Sequence, residues 1–298
     1  MEIKSWIHAF RLRTLPLTLS CIGMGGFLAA AAGKFNAVIF ALCCLTTILL
    51  QILSNLANDY GDYVNGADHV ARKGPQRAVQ SGAIAAGQMK NAVILFSILC
   101  LASGISLLLV AFGVDWNSLI FFFVLGLMCI VAAIAYTIGK KPYGYAGLGD
   151  ISVLIFFGLV GVMGSLYLFT KEIDWSTILP ALSCGLFSIV VLNINNIRDI
   201  ESDKVAGKYS IPVRIGKKNA VRYNWFLLVA GLTAAIGYSA LNYQSLFQFL
   251  FLLTLPLFIR IGVAVSEKPS EELDPYLKQM ALSILLFVIL FGTGNLLR

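Results

Sequence analysis

Ala37-Val-Ile-Phe-Ala-Leu-Cys-Cys-Leu-Thr-Thr-Ile-Leu-Leu-Gln-Ile-Leu-Ser-Asn-Leu-Ala-Asn58 runs for 22 residues without a charge. Wound as an α-helix it would be about 33 Å long, enough to cross the ~30 Å hydrocarbon core of a bilayer. It passes directly into Asp59-Tyr-Gly-Asp62. Carboxylates at the end of a membrane helix are costly unless paired, hydrated or bound to a cation, so they mark a functional site. The pattern returns 140 residues later, where an apolar run ends in Asn195-Asn-Ile-Arg198-Asp199-Ile-Glu-Ser-Asp203.

The rest of the chain agrees with a membrane protein. Of 298 residues, 58% are hydrophobic and 12% charged, about half the charge of a soluble domain. Apolar runs of spanning length fall at about 15–33, 37–58, 91–113, 117–138, 150–170, 176–197, 222–241, 246–265 and 279–297. The expected fold is therefore all-α, a bundle of nine transmembrane helices in a single domain over residues 1–298. Lys4, Arg11 and Arg13 before the first run could mimic a secretory signal, but Leu15–Ala32 has the length of a full span and reads as a retained helix. The cysteines lie in apolar segments without CxxC spacing and read as small buried hydrophobes. His8 and His69 have no HxxxH or HxxE partner.

Charge tests the helix count. With nine spans and a cytoplasmic amino terminus, the cytoplasmic segments hold 19 Lys and Arg, while Lys34, Lys171 and Arg298 are the 3 on the other side. That asymmetry follows the positive-inside rule and places both acidic motifs at the cytoplasmic face. The net charge of +7 does not point to nucleic acid, because the basic residues are scattered through short loops. The longest loops, at about 59–90 and 198–221, follow the motifs and are candidate lids.

On a helix, Asn55, Asp59 and Asp62 fall within roughly 60° of one another, and Asn195, Asp199 and Asp203 within roughly 80°. Each triplet can then present oxygen ligands from one face, provided the helix continues. Oxygen ligands without His or Cys suit a hard cation, above all Mg²⁺. Mg²⁺ commonly bridges carboxylates to phosphate oxygens, so two such motifs facing each other suggest a diphosphate held between metal ions. Asn58 and Asn196 are polar neighbours that could equally serve the helix ends. Arg72, Lys140 and Arg198 each adjoin a polar motif and can be read as anion ligands or as topology signals. Lys204, Lys208, Lys217 and Lys218 read as topology signals. Asp150 is a candidate, or else a helix cap. Tyr143 and Tyr145 could bracket an aromatic substrate or sit at the interface.

These residues resemble the UbiA superfamily of membrane prenyltransferases, whose two Asp-rich motifs lie on the second and sixth of nine helices. Asn195-xxx-Asp199-xxx-Asp203 matches the second motif. Asn55-xxx-Asp59-xx-Asp62 is one residue shorter than the commonest first motif. The contraction, with Arg11-Leu-Arg-Thr-Leu-Pro16, Asn58-Asp-Tyr-Gly-Asp62, Lys73-Gly-Pro75, Lys141-Pro-Tyr-Gly-Tyr-Ala-Gly-Leu-Gly-Asp150 and Asn193-Ile-Asn-Asn-Ile-Arg-Asp199, is similar to the branch that prenylates 1,4-dihydroxy-2-naphthoate in menaquinone synthesis.

The resemblance implies Mg²⁺ held by Asn55, Asp59, Asp62, Asn195, Asp199 and Asp203. It implies substrate contacts from Asn58, Arg72, Tyr136, Lys140, Tyr143, Asp150, Asn196 and Arg198, the Tyr136–Lys140 pair matching the YxxxK loop motif. The implied reaction transfers a polyprenyl group from its diphosphate to the naphthoate, with loss of CO₂ and diphosphate, in a bacterial cytoplasmic (inner) membrane. Two other readings stand beside it. One is the same chemistry on another acceptor, such as 4-hydroxybenzoate or a chlorin alcohol partner. The other is a cation-coupled transporter, disfavoured because the acidic clusters sit at helix ends and both run in the same direction.

Overall fold

The computed structural model describes residues 3–66 and 76–297. Among these residues every regular element is helical, and nine helices are long and apolar enough to span a membrane. They are α1 (Ile3–Ala31), α2 (Ala37–Val64), α3 (Ala86–Phe112), α4 (Trp116–Ala135), α5 (Gly149–Thr170), α6 (Trp175–Arg198), α7 (Ile211–Leu241), α8 (Leu246–Glu267) and α9 (Asp274–Leu296). The expected count of nine is borne out.

Several boundaries differ from the sequence reading. α2 continues through the whole first motif, so all of Asn55, Asp59 and Asp62 are helical. α3 begins at Ala86, and α7 at Ile211, with Pro212 in its first turn and a break at Gly216 (φ 77°). The expected loop at 198–221 is therefore mostly helix: Ile200–Val205 forms a further short helix, and α7 takes up the remainder from Ile211. The charges between Arg214 and Arg222 hid that start, because a helix leaving the bilayer carries no apolar run. α1 is broken at Arg11, which adopts a left-handed conformation (φ 49°).

Buried side chains form one large cluster around α1, α5, α6, α7, α8 and α9, and a smaller one around α2 and α3. Phe187, Phe251, Phe258, Phe287 and Phe291 interlock at the centre of the first, with ring centroids 4.7–6.2 Å apart. Between lipid-facing helices, close packing rather than hydrophobic transfer supplies the attraction, and small residues permit it. α5 shows this where it meets α6. A Cβ on Gly158 would stand 2.8 Å from the Ala181 carbonyl oxygen and 3.2 Å from Gly185 Cα. The same stretch, Leu154–Gly164, is wound as a π-helix, a wide turn often found beside functional sites. α4 is the opposite case, with no fully buried residue.

A candidate diphosphate site between the two acidic motifs

Three close contacts hold the first motif in place. A Cβ on Gly61 would lie 2.6 Å from Thr137 Oγ1 and 2.7 Å from the Thr137 carbonyl oxygen. Glycine here lets α2 press against the segment that follows α4. Thr137 Oγ1 in turn donates to the Ala57 carbonyl at 3.0 Å and pairs with Asn58 Oδ1 at 3.2 Å. The shortened spacing Asp59-Tyr-Gly-Asp62 thus sets a contact glycine between its two carboxylates.

Both carboxylates are almost fully buried, each 1% exposed. Asp59 accepts from the backbone amides of Ala78 (3.1 Å) and Val79 (3.2 Å), in the strap that leads into α3. Asp62 accepts from the Tyr145 hydroxyl at 2.6 Å and pairs with the Arg77 guanidinium. Arg77 also donates to the Asn58 carbonyl at 3.3 Å. Asn55 serves α1 instead. Its amide nitrogen donates to the Phe10 carbonyl (2.9 Å) and to Thr14 Oγ1 (3.2 Å), bracing the break in that helix.

The second motif is helical but bent. α6 ends at Arg198, and Asp199 (φ −99°, ψ 10°) joins it to the short helix that carries Asp203. Backbone bonds from Asp199 N to Asn195 O (3.1 Å) and from Asp203 N to Asp199 O (2.8 Å) still keep the triplet in helical step. Arg198 grips Asp199 with Nε (2.9 Å) and Nη2 (2.7 Å), and Nη2 also donates to Asn195 Oδ1 at 2.8 Å. Asn196 is buried. Asp203 faces Lys208 Nζ at 3.8 Å, and its Oδ2 is buried without a hydrogen-bond partner. Burial pushes the Asp203 carboxyl up to about 6, with Asp199 and Asp62 adding to the rise and Lys208 and Arg77 opposing it.

The two motifs face each other. Asp59 and Asn195 line one cavity of about 250 Å³, together with Arg11, Arg13, Gln76, Arg77, Arg198 and His8. Four guanidiniums around a polar cavity of this size suit a doubly phosphorylated group. Asp62 and Asp203 lie beside it in a second cluster. There Lys208 Nζ stands 5.7 Å from the Tyr145 ring centroid, and Tyr209 N donates to the Tyr145 carbonyl at 2.9 Å. Among the described residues no three carboxylate, His or Cys groups converge on a ready-made cation cage. The donor set nonetheless fits a hard cation: carboxylate and amide oxygens dominate, and the bare Asp203 Oδ2 is a buried acceptor in need of a partner.

A second cavity, of about 370 Å³, is mostly apolar. Asn58, Tyr136, Tyr143 and Leu192 line it, as do Cys100, Gly126, Cys129 and Phe157 on α3, α4 and α5. Successive residues Asn58 and Asp59 therefore face different cavities. Tyr143 donates to the Ala132 carbonyl at 2.9 Å and meets Ser152 Oγ at 3.0 Å. Burial raises the phenols of both Tyr136 and Tyr143, and the negative Asp62 adds to the rise at Tyr136.

Not every expected residue joins this site. Lys140 is exposed and lines neither cavity. Asp150 is buried, accepts from the Tyr223 hydroxyl at 2.8 Å and lines neither cavity. Arg72 lies outside the described residues. Lys208 corrects the reading as a topology signal, being 9% exposed and turned to Asp203. Neither the pairing of Arg77 with Asp62 nor that of Asp274 with Arg198 is legible in the sequence. Arg77 follows the first motif by 15 residues and Asp274 opens α9, so no short spacing links either to its partner.

The fold and the paired carboxylate motifs define a multi-pass membrane protein with a polar, arginine-rich cavity and an apolar one. Residues 18–290 match the model of the UbiA prenyltransferase family. The chain belongs to that family. It is 46% identical to a 1,4-dihydroxy-2-naphthoate octaprenyltransferase of Haemophilus influenzae, over 99% of this chain and 97% of that one. Identity to the protein of the same name from Escherichia coli K12 is 43%, over 98% and 94%. Among solved structures, a UbiA homologue from Aeropyrum pernix K1 superposes with a TM-score of 0.66 at 17% identity, covering 100% of this chain and 98% of that one. A homologue from Archaeoglobus fulgidus bound to GPP and Mg²⁺ gives 0.64 at 16%, covering 97% and 100%. These two likenesses speak for the fold.

Proposed function

We propose that this protein transfers a polyprenyl group from polyprenyl diphosphate to 1,4-dihydroxy-2-naphthoate, releasing diphosphate and CO₂ and giving the hydroquinone form of demethylmenaquinone. The observation that carries the reading is the step from Asn58 to Asp59 on α2: successive residues line a mostly apolar cavity suited to a prenyl tail and an arginine-rich polar one suited to its diphosphate. The full-length similarity to naphthoate octaprenyltransferases favours the naphthoate over 4-hydroxybenzoate as acceptor. A transporter would need its carboxylates near the middle of the bundle, whereas these sit at helix ends.

In this reading Asp59, Asp62, Asn195, Asp199 and Asp203 hold Mg²⁺, with Asn55 bracing the motif from behind. When bound, the metal supplies positive charge that stabilises the departing diphosphate. Arg77 and Arg198 exchange their carboxylate partners for phosphate oxygens. The allylic C–O bond breaks with its electron pair leaving on the diphosphate. A ring carbon of the acceptor, placed beside the Tyr136–Tyr143 pair, then attacks the allylic carbon, and the ring carboxylate leaves as CO₂, returning its electron pair to the ring. The apolar cavity keeps the tail dry and denies water to the cation. The active site faces the cytoplasm of a bacterial cell and the amino terminus lies on the same side, a reading supported by the 19-to-3 distribution of Lys and Arg.

Purified protein given Mg²⁺, octaprenyl diphosphate and each acceptor should yield a prenylated naphthohydroquinone and CO₂ from the naphthoate alone. A product formed equally from 4-hydroxybenzoate would overturn the acceptor assignment. Asp199→Ala should remove turnover while the protein remains in the membrane, and near-wild-type activity would sink the metal-site assignment.

A further inference from the structure

Asp274 opens α9, far in sequence from either acidic motif, yet its carboxylate sits between two guanidiniums. Oδ2 accepts from Arg13 Nη1 at 2.8 Å, and Oδ1 accepts from Arg198 Nη1. Arg198 is 3% exposed, and its opposite edge holds Asp199 and Asn195. Charges therefore alternate along one line, Asp199, Arg198, Asp274, Arg13, joining α6, α9 and the break in α1.

The arrangement poses a problem that Asp274 solves. A carboxylate gripped by two N–H groups of a buried guanidinium is in a strong, directional pair. If Asp199 is to accept a divalent cation, the cation must compete with that grip, and Arg198 must not be left as a buried charge without compensation. A second carboxylate on the other edge divides the pull of the guanidinium. It also keeps Arg198 neutralised while Asp199 turns to the metal.

We infer that Asp274 is a positioning residue for the second motif: by holding Arg198 from the side opposite Asp199, it keeps Asp199 available to a divalent cation. The inference rests on the proposed role of Asp199 as a cation ligand. Neutralising Asp274 leaves the full guanidinium charge on Asp199 and Asn195, which tightens their grip and weakens the metal. Partners that orient metal ligands typically govern 10–100-fold in metal affinity.

The test uses Mn²⁺ as the probe, titrated by electron paramagnetic resonance into purified full-length protein with geranyl S-thiolodiphosphate present. Asp274→Asn should weaken Mn²⁺ by about tenfold or more. Asp274→Glu, which restores the charge, should bind within about threefold of wild type. Asp199→Ala should lose the site. Wild-type Mn²⁺ affinity in Asp274→Asn overturns the inference even if its turnover falls, because a merely structural role would lower activity without moving the metal. Equal weakening in Asp274→Asn and Asp274→Glu overturns it too, since charge would then not be the cause. Unchanged binding in Asp199→Ala would instead overturn the role of Asp199 itself and the inference with it.

Discussion

Individual side chains at this site are held by partners they must exchange during turnover. The Tyr145 hydroxyl, 2.6 Å from Asp62 Oδ1, is one such partner. A hydrogen bond to a charged group contributes about 1.5–3 kcal/mol, and a buried acceptor left unmet costs a similar amount. Tyr145→Phe should therefore lower the thermal stability of the ligand-free protein by that order. Mg²⁺ with a diphosphate should recover most of the loss by meeting the same oxygen. Thermal unfolding in detergent, with and without ligand, reads both numbers; a loss that ligand leaves untouched would remove Asp62 from the metal site. Asp203 offers a prediction of different sign. Burial raises its carboxyl to about 6, so below that pH the metal-free protein carries a proton there, and above it a carboxylate. Cation affinity should fall as pH drops through about 6, because metal must then displace a proton. In Asp203→Asn that step should vanish from a Mn²⁺ binding profile that brackets the same pH.

Helices position these groups, and here the sequence was informative to unequal degrees. α2 was legible as far as the end of its apolar run, and the offsets of Asn55, Asp59 and Asp62 place them on one side, although the helix itself runs on to Val64. The second motif was legible in spacing but not in its bend at Asp199. The pairings of Arg77, Tyr145 and Asp274 escape the sequence for a physical reason: each meets its partner across 15, 83 or 76 residues of chain, and no local period records such a contact. Gly61 shows what the motif spells beyond its carboxylates. Its missing side chain admits Thr137, whose nearest atoms include backbone that cannot turn aside. Gly61→Ala should cost about 1–3 kcal/mol by overpacking and lower turnover by shifting both Asp59 and Asp62. Gly87→Ala, at a helical position open on every side, should be neutral or slightly stabilising. Melting temperatures of the two variants make the comparison, and equal values would show that α2 is free to move away from Thr137.

At the scale of the whole molecule, the bundle is asymmetric in how tightly it is packed. α6 and α9 belong to the densest part of the core, whereas α4 lies over the apolar cavity with no fully buried residue. The second motif is thus anchored in rigid surroundings, while the tail cavity has one loosely packed wall. Gly126 on that wall lines the cavity, and nothing stands within 4 Å of a Cβ placed there. Gly126→Phe would project a ring into space that the prenyl chain needs, without touching either acidic motif. Overpacking by a ring costs about 1–3 kcal/mol when the displaced group is obliged to stay, or roughly tenfold to a hundredfold in relative kcat/KM. A short chain can retreat from the ring, whereas a long one cannot. The ratio of kcat/KM for octaprenyl over geranyl diphosphate should therefore fall by at least about tenfold, with the Mg²⁺ dependence unchanged. An equal loss with both donors would mean that the ring disturbs the headgroup site, and no loss with either would place the tail outside this cavity.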